Sequence, residues 1–320
     1  MIAELPAVSV VMSVHNGQKY LRDAVESILN QTFRNFEFII IDDGSTDNSK
    51  EILEEYAAKD SRIRFVSREN RGFTKSLNEG LALARGKYIA RMDADDIAFP
   101  QRFENQVRFL EEHSETVVLG CNVELIDEDG DKLGLWTRPV THQALEEAHL
   151  QGIGGSLVHP TVMLRAAAVQ VTGGYREDLF TTQDFDLFLR LGEVGRLGNL
   201  PDVLLQYRMH LESVGFKKLE EQYKTLCEIL KEAHVRRGLK LQRLPDRPYY
   251  ARESREESLV ELASFAERSG NMRVAKKHAG RALRTMSVKH VAWPQLVGIV
   301  YGRLAGIAAK LFFRLRRRIF

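Results

Sequence analysis

"FEFIIIDDGSTDNSKEILEEYA" (residues 36–57) contains the transition on which the fold turns. Its opening, "FEFIIID" (36–42), is nearly all apolar, as a parallel strand covered on both faces must be. "DDGSTDNS" (42–49) follows with turn formers, and "DNSKEILEEYA" reads as a helix whose start is rich in capping side chains. The same alternation runs outward in both directions. "VSVVMSV" (8–14) reads as a strand, and 18–31 as a helix with Leu21, Val25, Ile28 and Leu29 on one face. "RIRFVS" (62–67) is a third strand, 73–84 a helix, and "KYIARMD" (87–93) a fourth strand. Strands and helices at this spacing predict βαβ units and a mostly parallel sheet flanked by helices.

Beyond residue 100 the pattern loosens. A helix at 100–112 is followed by extended segments at 116–126 and 132–137 around the turn "DEDGDK", and a Gly-rich loop "QGIGGS" spans 151–156. A helix at 184–193 and a short strand "DVLLQYR" close this half, which predicts an α/β domain over 1–215. Residues 216–294 are expected to form an all-α extension broken at "LPDRPYY" (244–250). Within it, "LVELASFAERSGNMRVAKKHAGRAL" (259–283) has the spacing of one tetratricopeptide-like hairpin. One copy is not an array, so a lone helical hairpin packed on its neighbour is the simpler reading. In 295–320, Arg303, Lys310, Arg314 and Arg317 fall on one helical face, interspersed in an apolar segment that carries Leu296, Ile299, Leu304, Ile307, Leu311 and Leu315. Such a basic amphipathic helix predicts a membrane-surface anchor, the alternative being a helix packed on the protein with its charges solvated.

Composition narrows the class without naming a partner. The chain is 44% hydrophobic and 28% charged, an ordinary soluble balance, and its 46 basic and 44 acidic residues leave a net charge of +2. That balance points to no nucleic-acid partner. Acidic clusters lie in the first half, whereas "RLRRRIF" at the end holds four arginines. Cys121 and Cys227 make neither a disulfide framework nor a zinc site, which suits a reducing cytosol. The apolar N-terminal run lacks a basic n-region and reads as a strand, and no charge-free stretch reaches membrane-spanning length.

In open α/β sheets, ligands sit at the carboxyl ends of the strands. After the first strand comes "SVHNG" (13–17), after the second "DDGSTDNS", and after the fourth "DADD" (93–96). Asp42, Asp43, Asp93, Asp95 and Asp96 therefore converge on one rim. Singly, each is an unremarkable turn or cap residue. Jointly they repel one another and raise each other's pKa, and a cation relieves that cost. Mg²⁺ or Mn²⁺ is the hard cation that one or two carboxylates share with substrate phosphates. "DEDGDKLG" is no EF-hand, since Gly130 stands fourth in the loop where sixth is required. Neither a P-loop nor a G-x-G-x-x-G turn after a strand is present, so a nucleotide would be gripped through metal and carboxylates. Asp43 is placed to accept from a base N–H, which favours a uracil or thymine nucleotide.

These motifs resemble, over about residues 7–213, the inverting family 2 glycosyltransferases of GT-A fold. The resemblance rests on "VSVVMSVHNGQKYLRDAVESILNQTFRNFEFIIIDDGSTDNS", "NRGFTKSLNEGLALARGKYIARMDADD", "HPTVMLR", "GGYRE", "TTQDFDLFLRL" and "YRMH". It implies metal-dependent transfer of a sugar from a nucleotide-sugar, expected to be UDP- or dTDP-linked. The acceptor would be a saccharide or a lipid-linked saccharide of bacterial surface polysaccharide or glycolipid synthesis, at the inner face of the cytoplasmic membrane. It further implies that Asp43 contacts the base with Asp42 beside it, that Asp93 lies near the ribose, and that Asp95 ligates the metal. Ser13, His15 and Arg71 fall where the family approaches the nucleotide, and Asp96 serves either the same cluster or as a cap for the helix after Pro100. The general base that inversion requires maps to Asp184, with Gln183 where Glu is commoner and Asp186 a charge at the helix start. Arg208 and His210, in "YRMH", correspond to a pair that approaches the diphosphate or the metal; His159 reads more simply as structural.

Three other readings fit less well. A nucleotidylyltransferase of this fold would need a Gly-rich, basic loop where "SVHNGQKYL" stands. A phosphohydrolase using "DADD" would leave "DDGS" without a task, and a catalytically inactive binding protein would have no reason to keep Asp43, Asp95 and Asp184.

Overall fold

The structure is a computed structural model that describes residues 5–210, 219–245, 254–286, 292–302 and 305–306. Through the first hundred residues the elements are β1 (Val8–Val14), α1 (Leu21–Leu29), β2 (Phe36–Asp43), α2 (Ser49–Lys59), β3 (Ile63–Arg68), α3 (Phe73–Leu83) and β4 (Tyr88–Met92). There follow β5 (Ile97–Ala98), α4 (Arg102–Glu112), β6 (Thr116–Ile126), β7 (Lys132–Trp136), α5 (His142–Leu150), β8 (Met163–Arg165), α6 (Ala166–Thr172), α7 (Gln183–Leu191) and β9 (Arg196–Arg208). Four helices come last: α8 (Leu219–Arg236), α9 (Arg255–Arg268), α10 (Met272–Thr285) and α11 (Trp293–Tyr301).

The sheet runs β3-β2-β1-β4-β8-β6-β9-β5, with β7 paired to β6. β1 pairs in parallel with both β2 and β4, and β2 with β3. Every residue of β1 and β2 is buried, so helices cover both faces, and this explains the unbroken apolar runs. The β4–β8, β6–β8 and β5–β9 pairs are antiparallel. Register places the site: Val14 lies opposite Asp42, and Met12 opposite Met92. The loops leaving β1, β2 and β4 therefore emerge at one level of the sheet.

The chain divides into two compact units. The first holds the residues up to Val123, Thr137–Tyr207 and α8 from Glu220 onward. The second holds Glu124–Trp136, the residues after Tyr207 up to 210, and α9 to α11. One cut near 215 does not describe this division. Leu226, Ile229, Leu230 and Ala233 of α8 share a core cluster with Leu179, Phe185 and Leu189, which ties α8 to α7 in the first unit.

In the second unit, α10 clasps the acidic turn between β6 and β7. Asp127 is fully buried and takes hydrogen bonds from Lys277 Nζ at 2.6 Å and His278 Nε2 at 2.8 Å. Arg273 pairs with Asp131, and Arg281 with Glu128. Positions 273, 277 and 281 recur every four residues, so one helical face presents all three cations to the turn. The carboxylates of "DEDGD" are thus already neutralised within the protein. Asp127 in consequence ionises well below the usual carboxylate range: burial would raise it, but His278 and Lys277 outweigh that.

Helix α11 begins the segment read as an anchor. Leu296, Val297 and Ile299 are buried within the second unit, where α11 packs on α10 and α9. The basic residues Arg303, Lys310, Arg314 and Arg317 lie outside the described residues. Among the described residues, no helix is long and apolar enough to cross a membrane.

Candidate active site

β4 ends at Met92, and the three aspartates that follow stand together. One carboxylate oxygen from each of Asp93, Asp95 and Asp96 lies within 4.8 Å of the others. Beneath them is a cation that reading by strand ends passed over. Arg91 is buried in the middle of the sheet, and its guanidinium pairs with Asp93 while also donating to the Met92 carbonyl. Arg102 of α4 is buried alongside and donates to the Arg91 carbonyl at 2.8 Å. Burial pushes the Arg102 guanidinium down to about 10, although Cys121 and Asp96 favour its charge. The signal was present in the sequence: an arginine inside a wholly buried strand needs a charged partner.

Arg91 offsets part of the charge of three carboxylates. Burial raises the Asp93 carboxyl above its ordinary range, Arg91 draws it back, and Asp95 pushes it further up. A cluster of hard oxygen donors with surplus negative charge fits a divalent cation of the Mg²⁺ or Mn²⁺ type. Asp96 is no helix cap. Gln101 is the N-cap residue of α4 and caps without a side-chain hydrogen bond, while Asp96 is buried just before β5.

At the end of β2, Asp43 holds the loop after β3. Its Oδ1 accepts from the Arg71 amide at 2.8 Å and from Arg68, and its Oδ2 accepts from the Gly72 amide at 3.0 Å. Burial would raise Asp43, but these donors outweigh it and keep the carboxyl below its usual range. A carboxylate oxygen accepts twice, so Oδ2 keeps capacity for one further donor. Asp42 is engaged within the fold on both oxygens, from the Ser45 amide at 3.1 Å and Ser67 Oγ at 2.8 Å. Gly44, next in the chain, has φ 71°, and a Cβ there would meet the Asn70 amide nitrogen at 2.6 Å. Glycine is required at this contact. His15 stands beside this corner, its Nδ1 3.0 Å from the Asp43 carbonyl oxygen, and Ser13 is buried at the end of β1. The Arg71 side chain is exposed, with Glu69 3.8 Å away.

The third corner is the start of α7. Asp184 lies in its first turn, after Thr182, which takes φ 58°. A β-branched residue in the left-handed region is strained, and the turn before Asp184 stores that strain. Burial raises the Asp184 carboxyl; the amides of Phe185 and Asp184 itself oppose this, and Asp93 adds to it. Asp186 is fully buried and tied to Arg190, at 2.9 Å to Nε and 2.6 Å to the terminal nitrogen. Gln183 is buried.

Arg208 and His210 belong to the second unit. Arg208 is buried and donates to the Asp127 carbonyl at 3.2 Å, while His210 lines a small cavity with Glu128, Met209 and His278. Their expected approach to a diphosphate rests on the resemblance alone.

The family model described as "Glycosyl transferase family 2" matches residues 9–171, a span that contains all three strand-end motifs. The chain belongs to glycosyltransferase family 2. A relative from Bacillus subtilis, the named glycosyltransferase EpsE, is 39% identical over 223 residues, covering 68% of this chain and 78% of its own. Among solved structures, TarS 1–349 of S. aureus with UDP-GlcNAc has a TM-score of 0.59 at 18% identity, covering 97% of this chain and 91% of that one. The mannosyltransferase PcManGT of Pyrobaculum calidifontis with GDP-Man and Mn²⁺ has a TM-score of 0.54 at 15% identity, covering 97% and 88%. At these identities the two structures establish the shared GT-A-type fold. The family 2 glycosyltransferase described here is thus a transferase with carboxylates on the rim where its fold binds ligands.

Proposed function

We propose that this family 2 glycosyltransferase transfers a sugar, with inversion, from a UDP- or dTDP-linked donor to a hydroxyl of a saccharide or lipid-linked saccharide. The observation that carries the reading is the cluster of Asp93, Asp95 and Asp96, whose oxygens lie within 4.8 Å of one another on the rim that also carries Asp43.

Asp43 Oδ2 accepts the imide N–H of uracil or thymine, with His15, Ser13 and Arg71 around the nucleoside. Asp42 acts behind them, holding the turn. Asp95 is the principal metal ligand, and Asp93, steadied by Arg91, faces the ribose and the metal. A Mn²⁺ or Mg²⁺ ion held there would neutralise the charge that develops on the departing diphosphate. Asp184 takes the proton of the acceptor hydroxyl as its oxygen attacks the anomeric carbon from the face opposite the leaving group. A carboxyl raised by burial is a stronger base than a solvated one, which suits this task.

The product belongs to surface polysaccharide or glycolipid synthesis, and the basic residues of 303–320 hold the enzyme at a membrane surface. Removing 303–320 is expected to shift the protein from the membrane fraction to the soluble one; unchanged fractionation would refute the anchor. Donor hydrolysis across UDP-, dTDP- and GDP-sugars with Mn²⁺ tests the donor assignment. Turnover of a UDP- or dTDP-sugar is expected, and turnover of GDP-sugars alone would overturn the base assignment to Asp43.

A further inference from the structure

From the acidic cluster to α7, the helix that Asp184 opens, runs a line of contacting side chains in which Phe73, His159 and Tyr175 have no role so far. From Asp93 it passes to Arg91, whose guanidinium carbon sits 5.3 Å from the centre of the Phe73 ring. Phe73 meets His159 edge to face at 6.4 Å, and His159 Nε2 lies 2.7 Å from the Tyr175 hydroxyl. Tyr175 is within electrostatic reach of both Asp93 and Asp184, and its partner His159 packs on Phe188 of α7, the helix that Asp184 opens.

The line is built to be rigid. Asn78 of α3 clamps the Tyr175 backbone from both sides, accepting from its amide at 3.0 Å and donating to its carbonyl at 2.8 Å. Phe188 of α7 backs the His159 ring at 6.2 Å. Burial, followed by the nearby Arg91 charge, holds the His159 imidazole well below its ordinary pKa and therefore neutral at pH 7.

A buried tyrosine hydroxyl needs a hydrogen-bond partner, and that need accounts for the Tyr175–His159 bond taken alone. It does not account for a polar pair placed where an apolar one would pack at lower cost. Nor does it account for Phe73, a large aromatic left 38% exposed beside them. A pyranose ring explains both. It presents a face of C–H bonds that lies against an aromatic ring, and hydroxyls that need neutral donors and acceptors. Once the Nε2–hydroxyl bond is made, His159 Nδ1 and one lone pair of the Tyr175 oxygen remain for such contacts.

We infer that Phe73, His159 and Tyr175 line the subsite for the transferred sugar and decide which sugar the enzyme accepts. Phe73 lies against the apolar face of the ring, and the His159–Tyr175 pair bonds its hydroxyls. The inference rests on the nucleotide-sugar reading above, because the sugar of a donor gripped at Asp43 and Asp95 must lie toward Asp184.

The test compares two ligand classes by calorimetry on the full chain with Mn²⁺: UDP alone, and a panel of UDP-GlcNAc, UDP-glucose and UDP-galactose. Tyr175→Phe removes only the hydroxyl, and Phe73→Ala alters a partly exposed position at a helix start. In both, UDP affinity is expected to stay within about twofold of wild type. Affinity for the preferred sugar nucleotide should fall about fivefold to tenfold, as loss of a hydrogen bond or a ring contact predicts, and the ranking of the panel should change. An unchanged ratio of sugar-nucleotide to UDP affinity would overturn the subsite while leaving the donor reading intact. Equal losses for UDP and sugar nucleotide would overturn it too, by showing an effect on the nucleotide or the fold. Wild-type protein that bound neither UDP nor any member of the panel, nor dTDP or dTDP-glucose in a parallel titration, would overturn the donor reading, and the subsite with it.

Discussion

Arg91 and Asp93 form an ion pair at the root of the acidic cluster, with the arginine almost wholly buried in β4 and the aspartate at the mouth of the strand. The pair explains how three carboxylates persist at one strand end before any ligand arrives. It also makes a prediction about stability. Arg91→Met leaves Asp93 beside Asp95 with its nearest cation gone, and should cost about 3 kcal/mol, as breaking a buried pair does. Because a divalent ion supplies the lost charge, millimolar Mn²⁺ should raise the melting temperature of the variant more than that of the wild type. Equal Mn²⁺ effects on the two melting curves would separate Arg91 from the metal cluster.

Asp184 is expected to govern transfer and not donor binding. Asp184→Asn keeps the shape of the side chain and removes its basicity, so transfer should fall about 10²- to 10⁴-fold. UDP affinity should hold. In the wild type, activity should be lost as pH falls through the raised carboxyl pKa, since protonated Asp184 no longer accepts the acceptor's proton. A variant that transfers at the wild-type rate would move the base elsewhere.

The interior makes the fold sensitive to mild acid. Burial pushes His149 down to about 4 from 6.5, and its Nδ1 donates to the Leu145 carbonyl at 2.7 Å. Between those two values the unfolded chain binds the extra proton and the folded one does not, so stability falls as pH falls through this window and is flat above it. The loss amounts to about 3 kcal/mol if the full shift is realised. His159 acts in the same direction. Urea midpoints at pH 7 and pH 5 should differ, and His149→Gln should narrow the difference without abolishing it. Identical midpoints in the wild type would show that neither histidine stays neutral in the fold.

In the second unit, Lys277 bridges Asp127, Asp129 and Asp131. Lys277→Ala removes the bridge from a fully buried carboxylate, and should cost about 2 to 3 kcal/mol. Amide exchange in α10 should speed up more than exchange in β1 and β2, which belong to the other unit. Uniform acceleration across both would contradict a local clasp.

Much of this was legible in the residues. β1, β2 and β4 announced themselves because strands covered on both faces carry no alternation to misread, and the strand-end rule then located Asp43 and the Asp93–Asp96 cluster. What escaped was short or polar. β5 has two residues and β8 three, too few for any period to register, so the antiparallel pairs they make stayed hidden although β6, β7 and the end of β9 were legible as extended segments. Helix α5 buries Leu145, Ala148 and His149, an apolar stripe too thin to mark a helix. The strand-end rule points past Arg91 to the residues after β4, whereas the charge that stabilises them lies within the strand. The "DEDGD" turn, set aside for its glycine spacing, turned out to be committed to Lys277, Arg273, Arg281 and His278, partners more than a hundred residues away.

Asp95 is proposed to hold the metal through which the donor is bound. Calorimetric titration of UDP into wild-type protein and into Asp95→Asn, each with and without Mn²⁺, tests it most directly. Wild-type binding should depend on Mn²⁺, and Asp95→Asn should bind UDP weakly and equally in both conditions. Full Mn²⁺-dependent affinity in Asp95→Asn would place the metal on other ligands.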